Sequence, residues 1–488
     1  MLRVPILRAG RPYLSQDTVE LRDYATGQPV AELSLANPGL IARDLLEDHG
    51  AELRALSTAG LLQIFREAAG HFMNSVLPVG AEGQSPEEFV AAQSATTGMP
   101  WVLCRQNMAK IAAAMTQMPD ILDGLTGGLD LSTLDAGFGR RDGHIVSYAP
   151  RGQSFGAVLP ANSPGVHALW LPALALKMAV ALKPGQLEPW TPLRILEALR
   201  AAGLPGAALG FYPAGHDGAG AILRRCAAAM MFGAGATVRP WLGSPRVEIH
   251  GPGYSKIVLG PDKSPAWREF LDLMVVSAAA NGGRSCINVS GIRTPADGRT
   301  LAEALAQRLL QIVPRPREDE HALLSAFPEP AVAQGIDAAI ERGLAQGGAE
   351  DITARLRSGP RLVTFDGGTY LLPTVIYCDD LEHPLANQEY LFPFVSVVEV
   401  PTGQLCASLG PSLVVTALTE DARLERELLA RSDIGRLNFG PLPTTVLQWD
   451  QPHEGNIFAQ LYQQRAFQRQ AFSSQPVWVE PREPHHVF

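Results

Sequence analysis

The stretch GAVLPANSPGVHALWLPALALKMAVALKPG, residues 156–185, decides the fold. It opens on the apolar run 156–160, which reads as a buried strand, and closes on a second one at 179–184. The segment between them, from about residue 165, reads as a buried helix. Strand, helix, strand in that compass is a parallel crossover, and a parallel sheet is covered on both faces. The pattern continues outward. A helix at 191–203 opens on Thr191-Pro192 and stops at Gly203, the residue types favoured at those ends. A strand at 208–214, a helix at 218–228 and a strand at 228–232 follow. The expected class is α/β.

Upstream, Ile41, Leu45, Leu46, Leu53, Leu56, Leu61, Leu62 and Phe65 recur near the helical period, so 37–75 is expected to be helical. Helices continue over 86–125, interrupted at Gly98-Met99-Pro100. His144–Tyr148, inside a glycine-rich stretch, reads as a short strand. Downstream, a second α/β stretch spans 266–440. Helices are expected at 266–280, 300–312, 318–326, 329–345 and 420–431, and strands at 361–365, 396–400 and 412–418. One further strand is expected near Val477–Val479.

The chain has 488 residues, 46% of them hydrophobic and 18% charged. That excludes a disordered chain and supplies a large core. The net charge of −9 argues against a nucleic-acid surface or a polybasic membrane patch. Five widely spaced cysteines without a C-x-x-C pair fit neither a disulfide framework nor a cysteine zinc site. A cytoplasmic, reducing compartment is expected. No signal peptide is read at the N-terminus, and the apolar run 168–182, broken by Pro172 and Lys177, is too short for a bilayer.

Asn281-Gly282-Gly283-Arg284-Ser285-Cys286 ends a helical stretch on a Gly-Gly turn. A cysteine there can expose its thiolate while its own N–H faces a developing oxyanion, although a buried structural cysteine is the commoner fate. Glu248 runs from a strand into the Gly251-Pro252-Gly253 turn, where burial would make it a general base. Asn162, in Pro160-Ala161-Asn162-Ser163-Pro164, follows a parallel strand at the sheet edge where such folds bind ligands. Lys183-Pro184-Gly185 ends the next strand, where an ammonium can meet a ribose or phosphate. His167 and His250 lack ligand-spaced partners, as does the Asp379-Asp380…His383 group, which reads as a solvated loop, so no metal site is expected.

In order and spacing these segments resemble the aldehyde dehydrogenase superfamily over roughly residues 20–440. Asn281–Cys286 is similar to its Asn-x-Gly-Gln-x-Cys motif, with Arg284 for Gln. Glu248-Ile249-His250-Gly251, 38 residues before Cys286, resembles its Glu-Leu-Gly-Gly segment. Residues 160–164 resemble its Pro-Trp-Asn-x-Pro turn, 183–192 its Lys-Pro-Ser-Glu-x-Thr-Pro segment, 372–375 its Gln-Pro-Thr-Val strand and 389–393 its Glu-x-Phe-Gly-Pro loop. The resemblance implies oxidation of an aldehyde to an acid with NAD or NADP. Cys286 would attack the carbonyl, and the Asn162 amide with the Cys286 N–H would hold the oxyanion. Glu248 would activate the water that releases the acid. Leu159, Pro160, Lys183, Gln186, Phe232, Gly233, Gly235, Glu389 and Leu391 would contact the cofactor, Lys183 and Glu389 at its ribose hydroxyls. Release of the thioester to coenzyme A, or a non-catalytic cofactor-binding scaffold, are the alternatives; Glu248 favours hydrolysis.

The departures are specific. Phe232-Gly233-Ala234-Gly235 replaces Phe-Thr-Gly-Ser, and the run from there to Glu248 is short, so the helix that would line the pyrophosphate must be reshaped. Ala161 replaces Trp, Leu391-Phe392 replaces Phe-Gly, and Gly440 stands where Asn is expected. Gln186 occupies the position where a Glu commonly disfavours NADP, with Glu188 two residues on. Arg284 could assist ionisation of Cys286. Trp170, Leu174 and Met178 hint at a hydrophobic substrate or are simply core. The implied architecture is a Rossmann-type NAD(P)-binding domain (1–128 and 152–248), an α/β catalytic domain (249–440), and a small β extension with the C-terminal tail (129–151 and 441–488). A homodimer or homotetramer acting on a small aldehyde, with no nucleic-acid or membrane partner, is expected.

Overall fold

The computed structural model describes residues 1–453 and 455–469. Two seven-stranded sheets carry the fold. In the first, strands run in the order Val247–His250, Ala228–Phe232, Ser154–Val158, Ala179–Lys183, Leu209–Phe211, Ile6–Arg8, Arg11–Tyr13. The first five are mutually parallel, and the N-terminal pair adds antiparallel at the far edge. Phe155–Val158 and Ala179–Leu182 are wholly buried, as strands covered on both faces must be. Helix Trp190–Ala201 packs with helix Thr58–Asn74 on this sheet, around a core holding Trp170, Trp190 and Phe155.

In the second sheet the order is Ala349–Asp351, Thr374–Cys378, Phe394–Glu399, Gly291–Thr294, Lys256–Leu259, Ser412–Leu418, Ile434–Phe439, parallel except for the first strand. Its helices are Leu271–Ala279, Gly298–Leu309, Pro330–Leu344 and Ala422–Leu429. A third, three-stranded sheet joins the hairpin Phe138–Arg141 and His144–Pro150 to Tyr462–Arg465. The strand expected at Val477–Val479 lies outside the described residues. The boundary expected between 248 and 249 falls inside Val247–His250, a strand wholly of the first sheet.

Three expectations need correction. Residues 318–326 are not helical. Their flanks spend their backbone groups on neighbours: Trp101 N–H bonds Arg317 O at 2.8 Å, and Ala326 N–H bonds Gly98 O at 2.8 Å. Prolines 314, 316 and 328 bracket the segment, and the Asp319 carboxylate closes a turn on His321 N–H at 2.7 Å. Helix onset near 165 is a 3-10 turn, Pro164–Leu169, before the short helix Leu171–Ala175. His383 is buried, not solvated: Nδ1 accepts from Leu385 N–H at 3.1 Å, so Nε2 carries the proton and donates to Gly343 O at 3.2 Å. Asp379 and Asp380 are exposed.

Candidate active site

Asn281, Gly282 and Gly283 all adopt left-handed backbone, with φ of 53, 68 and 70°. Gly283 also leaves no room: a Cβ there would lie 2.4 Å from Pro393 N. Asn and Gly are the residues that accept this conformation, and the turn throws the following residues out of the helix line. Asn281 is then fixed from both sides. Its Oδ1 accepts from Asn107 Nδ2 at 2.7 Å, and its Nδ2 donates to Ser163 Oγ at 3.2 Å and Ser285 Oγ at 3.0 Å. Cys286 emerges next. Its carbonyl accepts from Ser255 Oγ at 2.8 Å, and Gly253 packs so closely on it that a Cβ there would come within 1.9 Å of the Cys286 oxygen.

Cys286 and Glu248 line one cavity of about 900 Å³. Of the five cysteines Cys286 alone does so. Cys104, Cys226 and Cys378 are buried elsewhere, their thiols held protonated by desolvation. Glu248 ends the first sheet, its Oε1 3.5 Å from His250 Nε2. Gly455 presses on that carboxylate, since a Cβ at 455 would lie 2.1 Å from Oε1. Sequence reading missed the remaining wall. It includes Lys110, Arg436 and, from 447–453 and 455–457, Leu447, Trp449, His453 and Ile457, which no regular pattern marks. Ser163 and Ser285 belong to it too. Their hydroxyls lie 3.2 Å apart, and both oxygens accept from Asn281. One hydroxyl proton serves that mutual bond, which leaves the other for an oxygen in the cavity.

Asn162 is bound to the cysteine loop. Its Nδ2 donates to Arg284 O at 2.7 Å, and the residue lines a neighbouring cavity of about 560 Å³ on the other side of the cysteine loop. Leu391 shares that cavity, with Ala161, Leu187, Phe327 and Val332. Arg284 points away from Cys286. It is buried, donates to Thr97 O at 2.7 Å and to Ala326 O, and lies over the Phe327 ring. It therefore clamps two loops and cannot polarise the thiol. Trp170, Leu174 and Met178 are core and line neither cavity.

Parallel register sets Val158 beside both Lys183 and Met231, so Leu159, Lys183 and Phe232 gather at the carboxyl ends of adjacent strands. Leu159 is buried, its N–H on Lys183 O at 2.8 Å, and Pro160 backs the Gly185 turn. Lys183 is half-buried with its pKa lowered by desolvation, and Gln186 is exposed. Phe232 stacks on His250, ring centroids 4.6 Å apart. Gly233 N–H bonds His250 O at 3.1 Å, and Gly235 faces open space. The expected pyrophosphate helix is reduced to the 3-10 turn Arg239–Trp241. Glu188 is buried, accepting from Gln93, Thr191 and His167, so it faces no ribose. Glu389 is turned to the Tyr254 N–H at 2.6 Å, and burial pushes its carboxyl up to about 7. In this structure it braces the turn behind Cys286 and does not present its carboxylate at the cavity beside Leu391.

The model of the aldehyde dehydrogenase family matches residues 83–405. The chain belongs to that family. It is an aldehyde-oxidising enzyme, an oxidoreductase of the kind its motifs implied, and the family's electron acceptor is NAD or NADP. A search of curated proteins returned no match. Solved aldehyde dehydrogenases share the fold at low identity. The aldehyde dehydrogenase KauB from Pseudomonas aeruginosa is 16% identical, with a TM-score of 0.78 over 96% of each chain. An NAD-dependent aldehyde dehydrogenase from Sinorhizobium meliloti is 17% identical, with a TM-score of 0.77 over 98% of this chain and 96% of that one. A gamma-glutamyl-gamma-aminobutyraldehyde dehydrogenase from Burkholderia cenocepacia is 16% identical, with a TM-score of 0.75 over 95% and 96%. Among the described residues no cluster of His, Cys, Asp or Glu could hold a metal ion, and no helix is long and apolar enough to cross a membrane.

Proposed function

We propose that Cys286 is the nucleophile and Glu248 the base of a hydrolytic aldehyde dehydrogenase. The observation that carries this reading is their shared cavity, which none of the other four cysteines lines. The Cys286 thiolate would attack the aldehyde carbon, and the carbonyl oxygen would take the negative charge. The spare hydroxyl proton of the Ser163–Ser285 pair and the Cys286 N–H would meet that oxygen. The second Asn162 Nδ2 proton, the first being spent on Arg284 O, would be a further donor to it. Loss of the adduct's C–H hydride, which a bound nicotinamide would accept, would leave a thioester; Glu248 would take a proton from water as the water attacks it, and the acid would leave with the thiol restored.

The residues present fit a nicotinamide dinucleotide. Lys183 and exposed Gln186 would meet the adenosine ribose, and the Gly233–Gly235 loop would offer N–H groups to phosphate. The apolar cavity beside Asn162 and Leu391 would take the nicotinamide end. The cofactor, when bound, accepts the two electrons of the oxidation. Neutral Gln186, with Glu188 sequestered, imposes no charge against a 2′-phosphate. The Sinorhizobium relative is NAD-dependent by its name. A homo-oligomer joined through the three-stranded sheet, in the cytoplasm, completes the reading.

The test is absorbance at 340 nm with wild type and Cys286→Ala, a panel of aliphatic and aromatic aldehydes, NAD or NADP, with and without coenzyme A. Reduction without coenzyme A that disappears in Cys286→Ala supports the reading. A strict requirement for coenzyme A would replace hydrolysis by thioester transfer.

A further inference from the structure

Helix Trp101–Thr116 presents Asn107 and Lys110 three residues apart, on one face. Both heads lie over Gly165, where a Cβ would come 3.1 Å from Asn107 Oδ1 and 3.2 Å from Lys110 Nζ. Asn107 grips Asn281 at the root of the cysteine loop, and Lys110 reaches the cavity that Cys286 lines. Its neighbours on that wall, Val166, Leu169 and Pro172, are apolar. An ammonium among such groups is costly unless it meets negative charge. No carboxylate among the described residues pairs with it. Burial pulls its pKa down to about 8, Arg436 pulls the same way, and Cys286 is the group whose charge opposes them. The charge that Arg284 could have brought to the thiol is turned elsewhere.

We propose that Lys110 is the charge partner that ionises Cys286. The thiol proton leaves to solvent, and the Lys110 ammonium holds the resulting thiolate in the cavity. Lys110 acts through Cys286 and is a positioning residue. This inference rests on the reading of Cys286 as nucleophile. Among the described residues, other charged or titratable groups line the same cavity. Arg436, on the strand Ile434–Phe439, adds to the positive field. His453, on the cavity wall, is kept neutral by burial. Glu248, with His250 beside it on the first sheet, opposes ionisation of the thiol. The ammonium is charged below about pH 8, so its pull on the thiolate spans neutral pH.

Alkylation of Cys286 by iodoacetamide, followed by mass spectrometry of its peptide across pH 5–10, tests the pairing without any turnover. In wild type the rate should inflect below the ordinary thiol range of about 8.5. In Lys110→Met the inflection should rise by about one pH unit or more, the shift a lost opposite charge brings, and the rate at pH 7 should fall about tenfold. Lys110→Arg, which keeps the charge, should hold the wild-type inflection. An unmoved inflection in a folded Lys110→Met protein overturns the proposal, as does an equal rise in Lys110→Arg. If the Met variant does not fold, Lys110→Gln is read the same way. If the inflection shifts as expected while no aldehyde is oxidised, the charge pairing stands and the assigned role of Cys286 falls.

Discussion

Gly253→Ala is a steric test of how the nucleophile is held. Gly253 does not use left-handed backbone, so alanine fits its dihedral angles and only the added methyl matters. That methyl would sit 1.9 Å from the Cys286 oxygen, 2.8 Å from its carbonyl carbon and 3.2 Å from its Cβ. Contacts of this kind do not fall below 3.0 Å, so one side must retreat by at least about 1.1 Å. The turn has little freedom to do so. Glu389 holds Tyr254 N–H at 2.6 Å, and Leu413 N–H bonds Gly253 O at 2.7 Å. The Cys286 carbonyl accepts from Ser255 Oγ at 2.8 Å, on the same turn, so the strain is expected to fall on the cysteine. A displacement of about 1 Å at a reacting atom costs roughly a hundredfold in rate, and the overpacking costs about 1–3 kcal/mol in stability. Steady-state kcat at 340 nm and a thermal melt measure the two. A kcat within threefold of wild type, with an unchanged melting temperature, would refute the claim that the Gly253 turn sets the position of Cys286.

Other perturbations read other parts of the site. Glu389 has a folded pKa of about 7 against an ordinary 4.5, so its contribution to stability is present below about pH 4.5 and is lost as pH rises through about 7. Glu389→Gln keeps an acceptor for Tyr254 N–H and should flatten the melting temperature between pH 5 and 7; a slope equal to wild type would count against a buried carboxyl. Lys256, held down to about 7, changes stability mainly above that range. Asn107→Leu removes the donor to Asn281 Oδ1 and should cost about 1–3 kcal/mol in urea melts, with a lower kcat and little change in KM. Gln186→Glu should raise the KM for NADP more than for NAD, because the new charge faces the 2′-phosphate; equal effects would place the ribose elsewhere.

Where one sheet dictates burial, the sequence was readable. The strands Ala228–Phe232 and Ser412–Leu418 match the expected runs residue for residue, because a covered parallel strand reads as a near-continuous apolar run; Ser412 and Thr416 are admitted by hydrogen bonds to Leu409 O and Leu442 O. The N-terminal strands Ile6–Arg8 and Arg11–Tyr13 carry no such signal: three residues each, they exist by pairing with Leu209–Phe211 and with each other. Residues 318–326 show the converse, helix-forming composition overridden by tertiary hydrogen bonds.

The site divides along the same line. Cys286 and Glu248 stand at the ends of well-signalled elements, and the topology brings them to one cavity. Direction is what a motif does not encode. Arg284 is two residues from Cys286 in the chain, yet the left-handed turn before it sends its guanidinium into the protein interior, where burial pulls its pKa down to about 10. Lys110 is 176 residues away in the chain and lies in the same cavity as the thiol. Asn162 and Glu389 each spend a hydrogen bond on the backbone that shapes the cysteine loop or the turn behind it. Three residues far apart in sequence thus hold one loop: Asn107 and Asn162 bind it directly, and Glu389 braces the turn against it. A change at any of them should be read first at Cys286, in its alkylation profile, before it is read in cofactor or aldehyde binding.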